Sequence, residues 1–145
     1  MTRVDEIKHE LRESVLRGAQ LLDQHQPGWE HLIDLETLQL NNCFACTAGQ
    51  AFAVEGAREA RTLGDQEYSG FDWLTDHLLP TAHQDWSDHD HTAKIKEEQR
   101  WLEHYGFDVS DGVLYEELQH QWEKLIHVRQ RIRFEHDEVA LSAQS

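Results

Sequence analysis

No stretch of this chain approaches the roughly 20 consecutive apolar residues that a membrane-spanning helix needs. Its opening, MTRVDEIKHELRES, is charged and periodic and lacks the uninterrupted apolar core of a signal peptide. A cytoplasmic location is therefore the expectation. Cysteine is scarce: Cys43 and Cys46 are the only two. In a reducing compartment such a pair reads as thiols or metal ligands before a structural bridge. Gly-x-Ser-x-Gly elbows, Gly-rich phosphate loops and dinucleotide fingerprints are all missing, so nucleophilic catalysis finds no support. Carboxylates are so abundant that no pair of them singles itself out as an acid and base without geometry. The sequence offers no catalytic residues.

Positive charge is the most unevenly distributed shortage. Thirteen Lys and Arg stand against 28 Asp and Glu, a net charge of −15, and no Lys or Arg falls between Arg61 and Lys94. That interval holds Asp65, Glu67, Asp72, Asp76, Asp85, Asp88 and Asp90, with His77, His83, His89 and His91 among them. Such a segment repels phosphates, so direct nucleic-acid binding is not expected, whereas a basic protein surface or a cation would suit it. Within HQDWSDHDH, Trp86 is an aromatic flanked by carboxylates and reads as an anchor for a basic partner, with Asp72, Asp76, Asp85, Asp88 and Asp90 around it. The plain alternative is that acid-rich surfaces keep proteins soluble. Four histidines among these acids would also gain charge between about pH 5 and 7, which suggests a pH-responsive loop.

The patterns that are present are helical. Val4, Ile7, Leu11, Val15, Ala19 and Leu22 form one apolar stripe that Pro27-Gly28 stops, and Leu114, Leu118, Trp122, Leu125, Val128 and Ile132 form another. Between them, WEHLIDLETLQL reads as a short helix or turn, and Asn41 or Asn42 as the cap of a helix running from Cys43 to about Arg61. That helix would place Cys43 and Cys46 on one face, pointing inward. SGFDWL and YGFDVS echo one another as helix punctuation: glycine in a left-handed turn, phenylalanine folded back, aspartate capping the next helix. No β-alternation persists, and 17.0 kDa is enough for one core. The expectation is an all-α bundle of about four to six helices over residues 1–136, with a long acidic loop near 75–93 and a flexible tail at 137–145.

Two motifs suggest metal. Cys-x-x-Cys begins many zinc sites, but a tetrahedral ion needs two further ligands, and here His77, His83, His89 and His91 could supply them, with His83, His89 and His91 the leading candidates. A thioredoxin-type couple would need a strand before the pair and a sheet around it; otherwise the two are small residues packed in a helix interface. Glu-x-x-His, the di-iron spacing, occurs at Glu6/His9 and Glu117/His120. Each histidine lies about 200° around its helix from a core residue, Ile7 or Leu118, so neither points inward, and a di-iron site is rejected.

The series Pro27-Gly28-Trp29, Ile33-Asp34, CFAC with Cys46, Gly49-Gln50, GFD and YEELQHQW resembles small proteins encoded by phages of actinobacteria, over about Gly18 to Arg133. The chain departs from that pattern at Ala48, where an aliphatic residue is common, and in its acidic stretch at 75–93. The resemblance carries no activity with it. It implies a bacteriophage accessory factor acting in the host cytoplasm.

Two function classes fit these observations. One is a non-enzymatic acidic protein that binds a basic surface on a host or phage protein, in its sharpest form a DNA-mimic inhibitor whose carboxylates occupy a groove made for phosphates. The other is a small zinc module built on Cys43 and Cys46 plus histidines, structural or, with an open position, hydrolytic. The two long helices could pack within one chain or across a homodimer.

Overall fold

Helix α1 (Arg3–His25) starts where it does because Thr2 caps it. The Thr2 hydroxyl accepts from the Asp5 amide at 3.2 Å while the Asp5 carboxylate accepts from Thr2 in return, so two otherwise unpaired groups are satisfied together. Gly28, at φ 81°, turns the chain away at its far end. The computed structural model of the protein describes residues 2–87, 91–107 and 112–144, with side chains in the last stretch described for 114–132. After α1 come α2 (Thr47–Ala51), α3 (Ala53–Leu63), α4 (Gly70–His77), α5 (His91–His104) and α6 (Gly112–Gln144), with single 3₁₀ turns at Trp29–Leu32 and Pro80–His83. No strand occurs among the described residues, and the fold is all-α. No helix among them is long and apolar enough to cross a membrane.

The core forms where α1 meets α6. Val15, Gly18, Ala19 and Leu22 of α1 face Leu118, Trp122 and Ile126 of α6, all buried. Trp122 is the centre: Trp29 meets it edge-on at 6.1 Å between ring centroids, and Phe107 stacks on it at 5.5 Å. Its indole N–H donates to the Gly106 carbonyl at 2.7 Å, so the ring is buried without an orphaned donor. A second packed unit joins α2, α3 and α4 through backbone. A Cβ on Gly70 would lie 2.5 Å from the Gly49 carbonyl oxygen and 2.8 Å from the Phe52 carbonyl carbon, so only glycine lets these helices approach so closely.

The segment between α1 and α2 is irregular, and three glutamines supply the backbone partners it lacks. Gln50 accepts from the Asp34 amide at 2.6 Å and donates to the Ala45 carbonyl at 2.8 Å. Gln119 accepts from the Leu40 amide at 3.0 Å and donates to the Leu38 carbonyl at 2.7 Å, much as a neighbouring strand would. Gln130 donates to the carbonyls of Glu30 and Ile33. Peptide groups left out of helices need partners of this kind when they lie against a core.

The structure corrects several expectations from sequence. The helix expected from Cys43 to Arg61 is two helices broken at Phe52, and it starts only at Thr47. Asn42 caps no helix; its side chain accepts from the Phe44 and Ala45 amides and closes a turn. The loop expected at 75–93 is shorter, since α4 continues to His77, a 3₁₀ turn fills Pro80–His83 and α5 begins at His91. Gly106 takes the left-handed turn with Phe107 folded back, as YGFDVS suggests, but in SGFDWL the cap is Ser69, with Gly70 the first helical residue. On α6 the buried line is Leu118, Trp122 and Ile126, while Val128 and Ile132 are exposed. The backbone of α6 runs through the expected tail to Gln144.

Candidate functional site

The two cysteines have different surroundings. Cys43 sits exposed in the turn before α2, while Cys46 is buried and is the N-cap of that helix. Its sulfur accepts from the Gly49 amide at 3.2 Å and its thiol points back to the Cys43 carbonyl at 3.8 Å. The reading of an inward-facing helical pair is therefore corrected for Cys43, which precedes the helix. Burial pushes the Cys46 thiol up from 9.0 to about 11, so near neutrality it stays protonated. Desolvation, with the Asp72 carboxylate adding to it, also raises Cys43. Both shifts favour the thiol over the thiolate.

The sign of that shift has a consequence in alkaline solution. A thiol whose folded value lies above its unfolded value adds stability at pH below 9.0, and that contribution is lost as pH climbs through about 11. The Cys46 share of the urea midpoint should be constant up to about pH 9 and fall above it. Cys46→Ser should flatten the decline, since serine caps equally well and does not ionise there. An equally steep decline in the variant would refute the assignment.

His83 ends the Pro80–His83 turn and His91 opens α5, both exposed, while His89 lies outside the described residues. Among the described residues no three Cys, His, Asp or Glu side chains are grouped to hold a metal ion. His9 and His120 are exposed, as their helical phase requires.

The acidic segment is better assembled. Ser69 and Asp72 form a capping box at the start of α4, with Asp72 accepting from the Ser69 amide and hydroxyl at 2.9 Å each. One turn on, Asp76 accepts from the Tyr68 hydroxyl at 2.7 Å. Burial, that bond to Asp76, and the charges of Asp76, Glu59 and Asp72 all raise the Tyr68 pKa. Glu98 on α5 is raised first by burial, with Lys94 opposing and Asp76 adding. Carboxylates from α3, α4 and α5 thus share one field, and Lys94, 3.9 Å from Glu98, marks its border. Sequence alone does not single out Glu59, Tyr68 or Glu98; the available signal is the four-residue step between Asp72 and Asp76, which puts both on one helical face.

Trp86 corrects an expectation. Its ring is half-buried and its indole N–H donates to the Thr81 carbonyl at 2.9 Å, so it braces the Pro80–His83 turn and is not a free aromatic anchor. Asp85 is exposed and accepts from the Ser87 amide at 2.9 Å. Asp88 and Asp90 lie outside the described residues. Compared with family models, curated proteins and solved structures, the chain finds no match in any of the three.

Proposed function

We propose that the protein is a non-enzymatic binder whose acidic face, centred on α4, engages a basic surface of another protein in a phage-infected host cell, in the manner of a DNA mimic. The observation that carries this reading is the gathering of Glu59, Asp72 and Asp76 around Tyr68, with Glu98 in the field of Asp76, in a region to which residues 62–93 contribute no Lys or Arg. A sustained negative field of this kind speeds encounter with cationic surfaces and repels polyanions. Two of its acids already do structural work at Ser69 and Tyr68, so their positions are fixed before any partner arrives.

The test is capture of host proteins on immobilised wild-type protein and on a neutralised variant carrying Glu67→Gln, Asp76→Asn, Asp85→Asn and Asp88→Asn. The same captured protein should be released by moderate salt, displaced by duplex DNA and missed by the variant. Equal capture by both proteins, or capture indifferent to salt, would overturn the reading.

A further inference from the structure

The chain's basic residues are concentrated as its acidic ones are. From Lys124 to Arg133 the sequence KLIHVRQRIR holds four Lys and Arg and no acid, in a protein with 28 acids against 13 bases. The structure sets this stretch of α6 beside α1, and between them runs a groove of about 370 Å³. Leu16, Leu125, Val128 and Ile132 give it an apolar floor, with Val128 and Ile132 respectively 47% and 60% exposed. Arg12, Lys124 and Arg129 line its rim. Arg129 is held by Asp23 at 2.7 Å and lies over the Trp29 ring, whereas Arg12 and Lys124 make no side-chain ion pair or hydrogen bond among the described residues. Nearby acids are turned away: Glu123 is engaged by Gln119, and Glu13 lines a different cleft with His104.

We propose that this groove docks an acidic amphipathic helix of a partner protein, whose apolar side chains cover Leu125, Val128 and Ile132 and whose carboxylates meet Arg12 and Lys124. The floor residues are spaced at three and four along α6, the ridge that an added helix packs into. Charge decides among occupants. A twofold contact between two copies through this groove would set the basic rim of Arg12, Lys124 and Arg129 on one copy against the same rim on the other, and like charges so placed oppose association. Duplex DNA carries no apolar side chains to cover Val128 and Ile132, and a groove between two helices receives a rod and not a flat membrane surface. This site is separate from the acidic face on α4, and either can stand if the other falls.

The experiment uses a fluorescent synthetic helix with leucines at alternating steps of three and four and glutamates elsewhere, followed by anisotropy. Saturable binding is expected, with NMR shifts centred on Leu125, Val128 and Ile132. Val128→Gln with Ile132→Gln, and separately Lys124→Glu, should each weaken it by about tenfold or more while circular dichroism stays unchanged. All three positions are exposed or partly so, and the fold does not depend on them. Four results would overturn the proposal: no saturable binding, equal binding of the peptide with lysines replacing glutamates, preferential capture by phosphatidylserine vesicles, or a dimer in sedimentation that the double substitution disperses.

Discussion

Trp122→Ala is expected to destabilise the protein by about 3–5 kcal/mol in urea or guanidinium unfolding, the range for removing a fully buried tryptophan. Three contacts go together: the edge of Trp29 at 6.1 Å, the stack with Phe107 at 5.5 Å and the hydrogen bond to the Gly106 carbonyl. Domains of this kind are stable by only about 5–15 kcal/mol, so the variant should lose much of its margin and unfold with a broad loss of helicity. Trp122→Phe separates the terms. It retains most of the ring and gives up the hydrogen bond, and should cost about 1–2 kcal/mol. If alanine at this position cost less than about 1 kcal/mol, the core described between α1 and α6 would be wrong.

Gly18→Ala should destabilise by about 2 kcal/mol, although helix propensity alone predicts a gain of about 0.5–1 kcal/mol from removing a glycine inside a long helix. The added Cβ would collide with the Tyr105 carbonyl oxygen and lie 2.9 Å from the Trp122 ring. The first is backbone and the second is locked in the core, so neither can yield as a flexible side chain would. Two opposite signs are thus set against one thermal or chemical melt. A stabilised Gly18→Ala protein would mean that α1 and α6 sit farther apart than described.

Legibility in the sequence divides along a physical line. The stripe of α1 and its stop at Pro27-Gly28 are readable because they are local: a few neighbouring residues decide them. On α6 the stripe is readable but its phase does not carry to the end. Leu125, Val128 and Ile132 continue the steps of three and four, yet Ile126 is the buried residue, because burial depends on where α1 and the Trp29 turn lie and not on spacing. The region from Cys43 to Leu63 misleads for a related reason. Its composition suits one helix, but the chain breaks at Phe52 so that Gly49 and Gly56 can both press on the start of α4, a demand made by residues some 20 positions away in sequence. The acidic neighbours of Trp86 suggest exposure, and a single hydrogen bond to Thr81 places it otherwise. The basic run on α6 is plain in the sequence but masked by the overall acidity.

The glutamines that brace the irregular segment carry one more implication, for what that segment's hold depends on. The bonds from Gln50, Gln119 and Gln130 to Asp34, Leu38, Leu40 and Ile33 join side-chain amides to backbone amides and carbonyls, none of which carries a charge. In a chain whose net charge is −15, the segment with least regular structure is therefore latched by contacts that salt does not screen.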